Sequence, residues 1–232
     1  GRRGRGRGGR GGDDGRRLAS APGLREVEPA AGEHGKATIV LCYGYVCAYG
    51  PPSQVTARVD VHIVASMTPH MANAKSLAFK RAGASVIACG VTDQELMAAK
   101  VNPAFAGIRI EALDVRDDDA VRRLVGSPPR LDYVVNSAGM IRRGAEHDPA
   151  TFADVVDVNL NGGMRVATAA RPLLAQSKGA IVFIGSVMSY FGGPVQPAYS
   201  ASKGAVKNLV MSLGAAYAAD GIRVNGVAPG WV

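Results

Sequence analysis

The sequence predicts an α/β fold in which a mostly parallel β-sheet is covered by helices on both faces. Two observations carry that expectation. From about residue 60 onward, six short apolar runs alternate with longer amphipathic stretches, the signature of successive strand-helix-strand units. The chain has 232 residues, 47% of them hydrophobic, enough for one sizeable core. Crossovers between parallel strands are right-handed, so these units wind doubly into a sheet of order 3-2-1-4-5-6.

Taken in order, the expected strands are residues 61–65, 85–89, 108–113, 131–135, 180–184 and 222–227. The expected helices lie between them at about 72–81, 94–100, 120–125, 151–174 and 198–219. Ahead of the first strand the composition changes. Residues 1–17 are almost entirely Gly and Arg, with two Arg-Gly-Gly triplets, and cannot bury enough apolar surface to offset chain entropy. Residues 18–55 are rich in Pro, Gly and Ala without a periodic pattern. Residues 1–55 are therefore expected to be a disordered extension, and residues 56–232 the folded domain.

The formal charge of +8 divides unevenly, because seven Arg against two Asp give residues 1–17 a charge of +5. The folded part has no charge excess that implies a polyanionic partner. Arg-Gly-Gly segments suit single-stranded RNA, but no stacking aromatic is interleaved among residues 1–17, so nucleic-acid binding is the disfavoured alternative. Cys42, Cys47 and Cys89 are too few and too unevenly spaced for a disulfide framework or a four-ligand zinc site. No metal is expected, and a reducing, cytoplasmic setting fits. The apolar stretch 37–49 is 13 residues long, short of the ~20 that span a bilayer as a helix.

Tyr199 and Lys203 are four apart on a predicted helix, so their side chains share one face. Their chemistry is complementary: an ammonium beside a phenol stabilises the phenolate and makes the hydroxyl a usable proton shuttle. Asn136-Ser137-Ala138-Gly139 follows the fourth strand, and Asp157-Val158-Asn159-Leu160 lies in the next helix. Ile184-Gly185-Ser186 closes the fifth strand, Tyr199-Ser200-Ala201-Ser202-Lys203 follows, and Ile222-Arg223-Val224-Asn225 leads to Pro229-Gly230. Asn159, Ser186, Tyr199 and Lys203 are separated by gaps of 27, 13 and 4 residues.

In these five motifs, their order and their spacing, about 170 residues resemble the short-chain dehydrogenase/reductase family. The resemblance implies a Rossmann-type fold and a nicotinamide-dependent oxidoreductase acting on an alcohol or ketone. It assigns Asn159, Ser186, Tyr199 and Lys203 as the catalytic group. Tyr199 exchanges the substrate proton, Ser186 hydrogen-bonds the substrate oxygen, Lys203 binds the nicotinamide ribose, and Asn159 holds a water through which protons leave. Cofactor contacts are implied for Asp114, Val115, Asn136, Ala138, Gly139, Tyr199, Lys203, Pro229 and Gly230. Physical reasoning agrees, since the Ser and Tyr hydroxyls polarise one oxygen where charge develops as hydride arrives.

Two departures qualify the resemblance. The family's glycine-rich loop after the first strand lets backbone approach a pyrophosphate. Here its glycine positions hold Ser66, His70 and Ala72, and Pro69 lacks an N–H, which should weaken dinucleotide binding. The second departure is at Val232, where the family continues with a substrate-covering segment and a final strand; a truncated active member and a decayed, silent one are both readings of this. Gly90 and Val91 after the second strand offer neither an acid for a ribose hydroxyl nor an Arg for a 2′-phosphate, and with no cation before Lys100 the choice between NAD and NADP leans to NAD. The run Gly139-Met140-Ile141-Arg142-Arg143-Gly144 is similar to members acting on gluconate and deoxy-gluconate. Arg142 or Arg143 is placed to hold a substrate carboxylate; two solvated loop arginines are the alternative. A small-molecule substrate and a homo-oligomer complete the expectation.

Overall fold

A computed structural model describes residues 76–230 and the backbone of residues 60–64, all within one compact unit. The expected extension 1–55 lies outside the described residues, as do Ser66, His70 and Ala72 at the glycine positions and Pro69 between them. The elements are β1 (Asp60–Val64), α1 (residues 76–81), β2 (Ser85–Gly90), α2 (Asp93–Val101), β3 (Arg109–Ala112), α3 (Asp118–Val125) and β4 (Tyr133–Asn136). They continue with α4 (Pro149–Val156), a π-helical turn (Asp157–Asn161), α5 (Gly162–Ser177), β5 (Ala180–Ile184), α6 (Pro197–Tyr217) and β6 (Arg223–Val227).

The six strands form one sheet in the order β3-β2-β1-β4-β5-β6. Every neighbouring pair is parallel, so all carboxyl ends lie along one edge. Between β1 and β4 the winding reverses direction, and that is where an open α/β sheet leaves a crevice for ligands.

Side chains alternate across the sheet because the strand period is two. Ile87, Cys89, Val134, Ile181 and Phe183 enter one core with Val121 of α3, Val166 and Leu174 of α5, and Val206 and Leu213 of α6. Val86, Ala88 and Val135 enter a second core with Phe105 and Ile108, against Leu77 and Phe79 of α1. Cys89 is packed within the first of these cores. Burial pushes its thiol up to about 12, with the Glu111 carboxylate adding to the effect.

Three helices, α2, α3 and α4, begin earlier than the apolar pattern indicates, each behind a capping residue. Asp117 accepts from the N–H groups of Asp119 and Ala120 at 2.9 Å, so α3 starts at Asp118 rather than 120. Asp148 accepts from Thr151 N–H at 2.8 Å with Pro149 in the first turn, and α4 starts two residues ahead of expectation. Thr92 and Glu95 form a reciprocal capping box on α2. Conversely β4 starts at Tyr133, because the Leu131 carbonyl accepts from Ser177 Oγ at 2.6 Å instead of joining the ladder.

The expected single helix 151–174 is real but is not regular. One π-helical turn at Asp157–Asn161 separates α4 from α5; such turns insert a residue and change which side chains face inward. Gly162 and Gly163 follow directly. A Cβ on Gly162 would lie 2.5 Å from Val115 Cγ2, and one on Gly163 2.5 Å from Asn136 Nδ2, so only glycine lets the start of α5 approach the ends of β3 and β4 this closely. Among the described residues no helix is long and apolar enough to cross a membrane.

Candidate active site

The π-helical turn delivers Asn159 to the carboxyl end of β4. Its amide is buried and fully engaged there: Oδ1 accepts from Met140 N–H at 2.7 Å, and Nδ2 donates to the Met140 carbonyl at 3.0 Å and to Ser202 Oγ at 2.9 Å. The Ser202 hydroxyl donates in turn to the Tyr199 carbonyl at 2.8 Å. Asn159 is thereby tied to the helical turn that carries Tyr199. Both Nδ2 hydrogens are committed, so any water held by Asn159 would have to use Oδ1.

A second tie joins the remaining pair. Ser189 Oγ accepts from Ser186 N–H at 3.2 Å and donates to the Lys203 carbonyl at 2.7 Å. Ser186 opens the short 3₁₀ turn after β5, and its Oγ accepts from Met188 N–H at 3.2 Å, which fixes the oxygen at the sheet edge. Lys203 is 5% exposed. Its ammonium donates to the Ile184 carbonyl at 2.7 Å and stands 5.6 Å from the centre of the Tyr199 ring, as four-residue helical spacing requires.

The structure brings Gly139 to the same place: a Cβ there would meet Asn159 Oδ1 and Lys203 Nζ, each at 3.4 Å. This glycine keeps open a strip of backbone beside the buried ammonium. Asn136, at the end of β4, is buried with its Oδ1 the single unpaired buried side-chain oxygen or nitrogen among the described residues. Ala138 is packed in the core. After β6, the Pro229 carbonyl accepts from Val187 N–H at 2.8 Å, placing Pro229 and Gly230 against the turn that holds Ser186.

Asp114 and Val115 follow β3. Val115 is core, whereas the Asp114 carboxylate receives the Arg116 guanidinium, with Nη2–Oδ2 at 2.7 Å. Arg116 also reaches Asp154 on α4 at 2.6 Å. The hydrogen bond from the Arg116 guanidinium holds the Asp114 carboxyl below the usual carboxylate range. Arg142 and Arg143 are exposed on the loop after β4.

Four residues of this arrangement escape a reading of sequence. Ser189 and Ser202 sit inside or beside recognised motifs, but serine there is indistinguishable from filler. Glu146 is fully buried although it lies between two loop segments. Glu95 folds back so that Oε2 accepts from Val91 and Thr92 N–H at 3.3 Å and stands 3.4 Å from where a Gly90 Cβ would be. The end of β2 therefore carries a carboxylate, supplied from α2.

Comparison with known proteins identifies the family. Residues 64–232 match the family described as short chain dehydrogenase. A 2-dehydro-3-deoxy-D-gluconate 5-dehydrogenase of Pseudoalteromonas atlantica is 36% identical over 126 residues, 51% of this chain and 50% of that enzyme, so this chain spans about half the length of that relative. Dehydrogenase/reductase SDR family member 6 of Xenopus laevis is 33% identical over 183 residues, 75% of this chain and 73% of the relative. A short-chain type dehydrogenase/reductase from Mycobacterium ulcerans superimposes with a TM-score of 0.64 at 26% identity, covering 75% of this chain and 68% of that one.

Proposed function

Since the chain belongs to the short-chain dehydrogenase family, we propose that it is a nicotinamide-dependent oxidoreductase interconverting a secondary alcohol and a ketone. One observation carries the reading: Asn159, Ser186, Tyr199 and Lys203, spread over 45 residues of sequence, are cross-tied in pairs by two buried serine hydroxyls at the carboxyl ends of β4 and β5. A bound nicotinamide supplies or accepts the hydride. Tyr199 gives its hydroxyl proton to the carbonyl oxygen in reduction and takes it back in oxidation. Ser186, its oxygen fixed by Met188 N–H, donates its own proton to the same oxygen and stabilises the charge developing there. Lys203, its ammonium beside the Tyr199 ring, would hold the ribose hydroxyls of a bound nicotinamide, and Asn159 fixes the Met140 backbone beside it.

The residues present fit such a cofactor. Gly139 leaves room beside Lys203, and Asp114, Val115, Asn136, Ala138, Pro229 and Gly230 line up along the strand ends where dinucleotides bind in this architecture. Glu95 favours NAD, because its carboxylate beside Gly90 can accept from ribose hydroxyls and repels a 2′-phosphate. A sugar acid is the substrate class we favour. Two exposed arginines, Arg142 and Arg143, lie on the loop after β4, close in sequence to Met140, and the Pseudoalteromonas relative is named for a deoxy-gluconate. Exposed apolar residues Phe152 and Met164 on α4 and α5 and Met211 on α6 support assembly with a second copy.

Fluorescence titration of the chain with NADH and NADPH, followed by turnover assays on gluconate-type acids and neutral secondary alcohols, tests the reading. NADH binding with turnover is the expected result. Failure of both nucleotides to bind would sink it and favour the silent-relative reading, to which Ser66, His70 and Ala72 at the glycine positions lend support.

A further inference from the structure

The longest helix beside the cleft begins without a cap of its own. Gln196, the residue before α6, makes no side-chain capping bond, and Pro197 occupies the first turn, leaving the next N–H groups without helical partners. The Tyr199 N–H finds an acceptor 53 residues away in sequence: Glu146 Oε2, at 2.8 Å. The other oxygen of the same carboxylate, Oε1, accepts from Arg142 N–H at 2.8 Å. Glu146 is fully buried. Burying a carboxylate is costly unless its lone pairs are filled, and here each oxygen takes a backbone N–H, one of them at the positive end of a 21-residue helix.

Neighbouring bonds make this a rigid strap rather than a single contact. Ala145 N–H donates to the Arg142 carbonyl at 2.9 Å, closing a turn in which Gly144 takes φ +81°, and Gly144 N–H donates to the Val195 carbonyl at 2.7 Å. His147 Nε2 lies 2.8 Å from the Pro194 carbonyl. Residues 142–147 are therefore laced to residues 194–199. One end of the lacing bears Arg142, and the other bears Tyr199.

We propose that Glu146 is a positioning residue that holds the Arg142 loop and the Tyr199 helical turn in fixed register. The inference rests on the dehydrogenase reading, since it concerns the placement of that proton donor. A carboxamide can satisfy only one of the two N–H groups, because its nitrogen is a donor. Glu146→Gln should thus free either Arg142 or Tyr199. A misplacement of about 1 Å at the proton donor lowers turnover on the order of a hundredfold. The cofactor contacts at Gly139 and Lys203 are untouched.

The test combines amide hydrogen exchange with steady-state kinetics on a neutral ketone, which has no carboxylate for Arg142 to hold. In Glu146→Gln, exchange at Arg142 or Tyr199 should accelerate and kcat should fall roughly tenfold to a hundredfold. The NADH dissociation constant should stay at the parent value. Glu146→Asp, still charged but too short to reach both N–H groups, should show the same split more weakly, and it supplies the answer if the Gln variant does not fold. Parental kcat in a folded variant, or parallel loss of kcat and NADH affinity with loss of cooperative melting, would overturn the positioning role. A parent chain without turnover would overturn the dehydrogenase reading and take this inference with it, whereas an active parent with an equally active variant would remove the inference alone.

Discussion

The two ends of the sheet edge are held by different forces. Around β4, β5 and α6, where Asn159, Ser186, Tyr199 and Lys203 gather, the ties are hydrogen bonds of buried amides, hydroxyls and a buried carboxylate to backbone. Around β3, where Asp114 stands, they are ion pairs with substantial exposure. Arg116–Asp114 has side chains 41% and 35% exposed, and Arg122–Asp119 has 64% and 74%. Buried hydrogen bonds cannot exchange partners with water, so they fix position. Exposed ion pairs exchange freely, gain little, and are screened by salt. The chemistry is expected to sit where geometry is rigid, and the exposed ion pairs around Asp114 where some yielding is tolerated.

The sharpest way to break this contrast is at Tyr199. Tyr199→Phe should remove turnover by roughly a hundredfold to ten-thousandfold, the range for losing a positioned proton donor, while circular dichroism and NADH affinity stay close to those of the parent. Retained turnover would show that the rigid end is not where the reaction occurs.

Next in size is Asn159→Ala. It removes the side-chain partner of both the Met140 N–H and the Met140 carbonyl, at a cost of about 1–3 kcal/mol for a group left unsatisfied away from water, and lowers the melting temperature by several degrees. The drop should persist in high salt. A drop that high salt abolished would mean that the buried network is not what Asn159 holds together.

The smallest effect belongs to the other end. Asp114→Asn should cost at most about 1 kcal/mol at low salt, because the pair is more than a third exposed, and less at high salt. The sign with pH follows from the lowered carboxyl. A group whose folded value is depressed contributes fully above the unfolded carboxylate range of about 4 and loses that contribution as pH falls through the folded value. Parent and Asp114→Asn melting curves should therefore converge on acidification and separate above that range. Equal separation at all pH values would refute the ion-pair account.

How much of this was legible in sequence differs between the same two regions. The six strands follow apolar runs and alternate across the sheet, so the two-residue strand period already sends Val86 and Ile87 to opposite faces. The four candidate catalytic residues are legible because their motifs, order and spacing resemble those of the family, on elements that the apolar pattern already places. The π-helical turn was not, because helical periodicity continues through Asp157–Asn161 and nothing in those five side chains announces one extra residue per turn. Glu146 was not, because a lone acid in a polar loop reads as solvated; its burial depends on an N–H 53 residues away. Glu95 was missed for a similar reason. It belongs to α2 in sequence, yet its capping-box geometry folds the carboxylate back over the end of β2. Local patterns show which element a residue is on, whereas long-range hydrogen bonds decide what it touches.

The buried thiol of Cys89 has a use outside chemistry. With its ionisation pushed up to about 12, almost none of it is thiolate at neutral pH, and the thiolate is the form that alkylating reagents attack. With Cys42 and Cys47 replaced by serine, labelling of the folded chain would have to wait for β2 to open, and its rate would then report how often the middle of the sheet comes apart. Repeating the measurement with NADH bound would show whether an occupied cleft slows that opening, which makes this silent side chain a clock for the fold.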